Sequence, residues 1–111
     1  MARTFIQSEA EGPRGWAVWK IVGRIDIQTA DAAYARGEEI IKNNGKTVLD
    51  MTEMEFLSSA GLRVLLRLFT LASTSGKSFT AVGPDDLVRS VLEESGMDEL
   101  LDVKASLNEL E

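Results

Sequence analysis

Short apolar runs along the chain are separated by breaks that contain glycine. In some runs apolar and polar residues alternate, as in strands, and in others apolar residues recur every three or four positions, as in helices. The segment 4–9 alternates weakly between apolar and polar residues, which predicts an edge strand. After the turn-forming segment 11–15, the run 16–22 (WAVWKIV) is rich in aromatic and β-branched residues, which favours a second strand paired as a hairpin. Trp16 and Trp19 should point to opposite faces of that strand, with at least one of them in the core.

Three longer segments repeat apolar residues at intervals of three and four, which predicts amphipathic helices. Thr29 precedes the first segment as a predicted N-cap, and Gly96 follows the third as a helix stop. The helices are predicted at 30–44, from 58–61 to 75, and from Pro84 to 95.

Shorter apolar runs bounded by turn residues lie between these helices, and they predict buried strands. The loop that precedes the second helix carries two methionines and two glutamates. The remaining predicted elements are strands at 47–49, 78–82 and 100–103, a loop at 51–57, and a final helical turn at 107–110 with Ser106 as its cap.

The order of these elements predicts the class of fold. A hairpin is followed by strands that alternate with helices, which is typical of a mixed sheet with parallel neighbours and right-handed crossovers. A chain of 111 residues suits one domain with one modest core. We therefore expect a single α/β domain over 1–111, with a sheet of four to five strands and about four helices.

Composition limits the chemistry of the chain. It contains no histidine and no cysteine, which excludes a Ser-His-Asp triad, a histidine metal site, disulfides and thiol chemistry. The net charge of −6 disfavours nucleic-acid binding, because that affinity comes mostly from neutralising phosphates. No apolar stretch is long enough to cross a bilayer, and the start of the chain lacks the apolar core of a signal peptide. We expect a cytoplasmic protein without membrane insertion, cofactor or enzymatic activity.

The stretch 56–66, FLSSAGLRVLL, places small residues where a loop becomes a helix. Ser58 or Ser59 can cap the helix by accepting a hydrogen bond from a backbone N–H group. Gly61 lowers the helix propensity, which suggests close approach by another backbone or by a partner. A phosphate on either serine would be favoured by the free N–H groups of the helix N-terminus, so one serine could be both cap and switch.

Acidic residues are predicted to surround these serines. Asp26 and Asp50 each follow a predicted strand, and Glu53 and Glu55 lie in the loop before the helix. If these loops cluster at one end of the sheet, a phosphoserine there would lie beside several carboxylates. The repulsion would change the surface enough to release a bound protein.

The stretch 50–66, DMTEMEFLSSAGLRVLL, resembles the signature of STAS domains, and specifically that of bacterial anti-sigma factor antagonists. The segment 23–26 (GRID), followed by Thr29, is similar to a second motif of the family. The segments 83–88 and 94–97 match the way the family's third helix begins and ends. The resemblance covers essentially the full length.

The resemblance implies a small protein that binds an anti-sigma factor, often a serine kinase, and thereby releases a sigma factor. Phosphorylation at the start of the second helix then causes the partner to dissociate. The family's acceptor serine falls on Ser59, with Ser58 as the second candidate. Ser58 stands where the family often has Asp, and Ala60 where it often has Ser or Thr. The residues expected to contact the partner are Asp26, Ser58, Ser59, Gly61 and Arg63.

Two other functions remain as alternatives. The same fold could serve as a STAS accessory subunit of a membrane transport complex, binding its ATPase without phosphorylation. An enzyme could use Asp26, Asp50 and a serine on a phosphate or glycosyl substrate. The absence of histidine, cysteine and a glycine-rich phosphate loop disfavours the enzyme.

Overall fold

A computed structural model describes residues 4–111, so that residues 1–3 of the predicted domain lie outside the described residues. The strands are β1 Ile6–Glu11, β2 Ala17–Ile25, β3 Lys46–Asp50, β4 Met54–Leu57 and β5 Ser78–Val82. The helices are α1 Ala30–Asn43, α2 Ser59–Thr74, α3 Asp86–Ser95 and α4 Met97–Leu101, with 3₁₀ turns at Pro13–Gly15 and Leu107–Glu109. The predicted α/β class, the N-terminal hairpin and the alternation of strands and helices are confirmed.

The five strands form one mixed sheet built around β2. β1 pairs antiparallel with β2, and the order β1-β2-β3-β5 continues with parallel neighbours. β2 is nine residues long, and β3 pairs only with its first half, from Ala17 to Lys20. β4 pairs with the second half, where Ile25 lies opposite Leu57. β3 and β4 therefore lie one after the other along the same side of β2.

The two faces of the sheet are covered differently. Trp19 is fully buried (0% exposed) among residues of the strands and helices that form the main core. Trp16, at 8% exposure, lies in a smaller cluster with Val18 and Leu110, under the C-terminal segment. The Arg14 guanidinium holds that segment, since its Nε donates to the Leu110 carbonyl at 2.8 Å. The two tryptophans lie on opposite faces as predicted, and both are buried.

Two predicted elements are wrong. The predicted loop 51–57 contains β4, whose buried residues Met54 and Leu57 are three apart and so do not alternate as in a half-buried strand. The predicted strand 100–103 covers the last two residues of α4, its C-cap Asp102 and one following residue, and α4 begins after Gly96 in the left-handed conformation. A single parallel bridge between Val82 and Lys104 is the only strand-like pairing recorded nearby within residues 4–111.

The helix caps differ from the predicted ones in detail. Asp85 caps α3 by accepting a hydrogen bond from the Val88 N–H at 2.9 Å, so the helix begins two residues after Pro84. Thr29 and Ser106 occupy the cap positions of α1 and of the last 3₁₀ turn, but within the described chain neither side chain caps its helix. The fold nevertheless starts α1 and α2 at the same end of the sheet, where β2 and β4 finish.

Candidate functional site

The register of β2 and β4 brings Asp26 and Ser58 together. Ile25 and Leu57 are the last paired residues of these parallel strands, and the Ser58 N–H donates to the Ile25 carbonyl at 3.0 Å. Each chain then turns into a helix, α1 in one case and α2 in the other. Asp26 and Ser58 are therefore neighbours at one end of the sheet, as expected.

The two serines have different roles at the start of α2. Ser58 has an extended backbone, and its Oγ accepts a hydrogen bond from the Gly61 N–H at 3.3 Å, which makes it the N-cap. Ser59 is the first helical residue and is exposed. Among residues 4–111 no group hydrogen-bonds to its side-chain hydroxyl. The structure thus assigns capping to Ser58 and not to Ser59.

Ser58→Ala is expected to lower the free energy of unfolding by about 1 kcal/mol, because the Gly61 N–H loses its acceptor. Ser59→Ala is expected to change it by less than about 0.5 kcal/mol, as for other surface substitutions. Urea titrations of both variants measure the difference, and a larger loss for Ser59→Ala would contradict the capping assignment.

Gly61 is buried under the first turn of α2 rather than on the surface. A Cβ at this position would lie 2.5 Å from Leu57 Cδ1 and 3.1 Å from the Ile25 carbonyl oxygen. The close approach that the sequence suggested is therefore to the protein's own β2 strand, and the expectation that Gly61 leaves room for a partner backbone is wrong. Gly61 positions the serines and is not part of the exposed surface.

Asp26 organises the turn between β2 and α1. One carboxylate oxygen, Oδ1, accepts hydrogen bonds from the N–H groups of Gln28 at 2.9 Å and Thr29 at 3.3 Å. The Thr29 hydroxyl donates to the Arg24 carbonyl at 2.9 Å and accepts from the Asp26 N–H at 3.0 Å. The Arg24 guanidinium stacks on Phe56 at 4.4 Å, and its Nε lies 3.6 Å from Asp26 Oδ2. Asp26 therefore holds the turn in shape, in addition to lying beside Ser58.

The predicted cluster of four carboxylates does not form as a whole. Asp50 lies opposite Lys20, six residues before Asp26 along β2, which corresponds to about 20 Å. Glu53 forms a salt bridge with the same lysine. The reason is the length of β2, which pairs first with β3 and then with β4. The end of β3, at Asp50, therefore lies beside the middle of β2 and not beside its end. Of Asp26 and Asp50, the register brings only Asp26 next to Ser58, while Glu55 lies within β4, three residues before Ser58.

A shallow groove of about 390 Å³ runs beside the serines between α1 and α2. Arg63 is exposed on its rim, and among residues 4–111 no carboxylate forms a salt bridge with it. Arg67, one turn further along α2, instead stacks its guanidinium on Tyr34 at 3.8 Å. The groove is lined by Ile27, Ala30, Asp31, Ala60, Arg63, Val64 and Arg67.

Ile27 is a part of this surface that the sequence interpretation missed. Its side chain is 80% exposed, more than any other large apolar residue recorded as exposed in the described chain. Its position in the sequence could have indicated this exposure. Ile27 directly follows Asp26 in a turn-forming stretch, outside any predicted strand or helix whose buried face could cover it. The exposed surface at this end of the sheet therefore comprises Asp26, Ile27, Ser58, Ser59 and Arg63.

The described residues contain neither a cluster of acidic side chains suited to a metal ion nor a helix that could span a membrane. The fold and the site define a small mixed-sheet α/β domain with an exposed, partly apolar surface at two helix N-termini. The family model described as "Mlab, STAS domain" matches residues 13–102, and the chain belongs to the STAS family.

Relatives and solved structures are similar over nearly the whole chain. An anti-sigma F factor antagonist from Paenibacillus polymyxa is 25% identical over 100 residues, which cover 88% of this chain and 86% of that protein. The structure of an anti-sigma factor antagonist from Mycobacterium paratuberculosis has a TM-score of 0.85 at 22% identity, covering 95% of this chain and 89% of that one.

Two further solved structures share the fold. The Bacillus cell fate determinant SpoIIAA in its phosphorylated form has a TM-score of 0.68 at 15% identity, covering 91% of this chain and 92% of that one. A sulfate transporter family protein from Wolinella succinogenes has a TM-score of 0.75 at 19% identity, covering 89% of this chain and 84% of that one. At these identities the structures establish the shared fold.

Proposed function

We propose that this chain is a cytoplasmic anti-sigma factor antagonist rather than an enzyme. It binds an anti-sigma factor with serine-kinase activity, which frees a sigma factor, and phosphorylation of Ser59 reverses the binding. One observation carries this proposal: Ser59 is exposed with an unbonded hydroxyl at the first position of α2, while Ser58 already caps the helix. The similarity to the Paenibacillus anti-sigma F factor antagonist supports the choice of partner.

The partner-binding surface consists of Asp26, Ser58, Ser59 and Arg63. Ser59 offers the hydroxyl that a kinase must reach, and Arg63 lies four residues later on the same exposed side of α2. Asp26 contributes through the shape of its turn, because both of its carboxylate oxygens already have partners within the chain. A partner of this surface would recognise a helix start and one free cation.

Phosphorylation would act on charge rather than on the fold. A phosphate adds close to two negative charges at pH 7, and helix N-terminal N–H groups favour it. On Ser59 it would lie one helical turn from Arg63, and the two groups can pair as oppositely charged residues four apart do. A partner carboxylate would then be repelled by the phosphate and could no longer pair with the Arg63 guanidinium. The similarity to a structure of SpoIIAA in its phosphorylated form supports this switch.

A pull-down from native cell extract tests the proposal, with wild type, Ser59→Ala and Ser59→Asp as baits. Wild type and Ser59→Ala are expected to retain a kinase-type anti-sigma factor, and Ser59→Asp to retain at least about tenfold less. Ser90→Asp adds the same charge at an exposed position of α3 and serves as the control that keeps the partner. Equal retention by the Ser59→Asp and Ser90→Asp baits would exclude Ser59 as the switch.

The accessory-subunit function is the second candidate, favoured by the similarity to a sulfate transporter family protein. In that case the retained protein would be a transporter ATPase, and Ser59→Asp would have no special effect compared with Ser90→Asp. The same pull-down therefore separates the two functions.

A further inference from the structure

Ile27 combines high exposure with a rigidly held backbone. Single exposed apolar side chains are common on protein surfaces, but Ile27, at 80% exposure, is continuous with the small apolar residues Ala30 and Ala60 of the groove, and contiguous apolar surface marks interaction sites. Here it is the residue between Asp26 and Gln28 in a turn closed on both sides by hydrogen bonds. Two more hydrogen bonds join that turn to the residues on either side of it. The Ala30 N–H donates to the Asp26 carbonyl at 2.9 Å, and the Thr29 hydroxyl donates to the Arg24 carbonyl.

A side chain presented in this way is suited to binding. Ordering a flexible segment opposes association, and a segment that is already held in its bound shape avoids that cost. Interfaces depend on a few apolar anchors that enter a pocket of the partner, with polar groups around them. Ile27 has the exposure of such an anchor, and the Asp26 turn supplies the rigidity.

The surroundings of Ile27 indicate what the partner looks like. Small side chains, Ala30 and Ala60, line the groove beside it, so a partner wall can approach both helices closely. Arg63 on the same groove has no salt-bridge partner among residues 4–111. The exposed Asp31 lines the α1 side of the groove. The complementary surface is therefore an apolar pocket with a carboxylate at the part of its edge that faces Arg63 on α2.

We propose that Ile27 is the apolar anchor of this chain, inserted into a carboxylate-rimmed apolar pocket of the protein partner that also contacts Ser59. The inference rests on the proposed function for the identity of that partner, which is the anti-sigma factor. It adds a specificity-determining residue on α1's side of the surface, next to the switch on α2. Arg63 pairs with the rim carboxylate, and this pairing orients the partner across the two helices.

In-cell photo-crosslinking tests the anchor with the full chain. Benzoylphenylalanine is placed at position 27 and, as a control, at position 87, where Leu87 of α3 is 57% exposed away from the groove. Position 27 is expected to give an adduct with a second protein that position 87 does not give. No adduct at position 27, the same adducts at both positions, or only an adduct between two copies of this chain would overturn the proposal.

Titrations of the captured protein then measure the contribution of the side chain. Ile27→Ala is expected to weaken binding by about 10- to 100-fold, and Leu87→Ala to leave it unchanged. Unfolding curves of both variants should match wild type, because both side chains are exposed. Binding by Ile27→Ala as tight as wild type would overturn the anchor even if the captured protein is an anti-sigma factor. A captured protein of another class, bound through Ile27, would support the anchor and contradict the proposed function.

Discussion

Replacing Trp19 by alanine is expected to remove about 3–5 kcal/mol from the free energy of unfolding, which is much of the stability of a domain this size. Trp19 is fully buried, and its ring centroid lies 6.4 Å from that of Phe79 on the helix-covered face of the sheet. Its indole N–H donates to Gln7 Oε1 at 2.9 Å, which connects the core to β1. Alanine would leave a large cavity and an unpaired amide. Urea unfolding followed by circular dichroism measures the loss.

Trp16 provides the matched comparison. It is buried in the smaller cluster, and its Nε1 has no hydrogen-bond partner within the part of the chain that the structure describes. Trp16→Phe should therefore cost less than about 1 kcal/mol, because the lost contacts are offset by removal of an unsatisfied donor. Trp19→Phe should cost about 1–3 kcal/mol more than Trp16→Phe, since it removes a satisfied donor from the main core. Equal losses for the two phenylalanine variants would contradict the different roles of the tryptophans.

Gly61→Val is expected to cost about 3 kcal/mol, because its side chain has to enter the contact between α2 and the ends of β2 and β4. The position has room for a hydrogen only, with the Ile25 carbonyl oxygen 3.1 Å from where a Cβ would lie. A backbone atom cannot move aside as a side-chain end can, so the helix itself must shift. Thermal or urea unfolding gives the magnitude.

Gly45→Val is the control for this substitution. Apart from Gly45 itself and its two chain neighbours, no atom of residues 4–111 lies within 4 Å of a Cβ built at Gly45, so its replacement should be nearly neutral. Gly61→Val should also weaken partner binding although the Ser59 hydroxyl is chemically intact, because the first turn of α2 presents that hydroxyl. Similar unfolding curves for the two valine variants would contradict the tight packing under α2.

Much of the fold could be predicted because it depends on local patterns. The helices at 30–44 and from 84, and the strand 78–82, follow from apolar periodicity and from turn residues close to them in sequence. β4 could not be found in this way, because it is four residues long and is stabilised by pairing with the distant end of β2. The segment 100–103 was predicted as a strand although its first two residues end α4, because a short apolar run suits either a strand or a helix.

The candidate site likewise has features that local sequence predicts and features that only strand pairing determines. Two serines at a helix start could be recognised from the sequence, but which of them caps depends on the residue at which the backbone becomes helical. The proximity of Asp26 to Ser58, and the distance of Asp50 from both, follow from which half of β2 each neighbouring strand pairs with.

The sequence by itself determined the α/β class, the positions of most elements, the absence of histidine and cysteine chemistry, and the short segment on which the proposed function depends. Only the tertiary structure decided that Gly61 is buried, that Ser58 caps while Ser59 is free, and that Ile27 faces solvent beside Arg63. The physical reason is that periodicity and capping act between residues a few positions apart. Exposure and proximity at this surface are instead set by the register of strands that are about thirty residues apart in the chain.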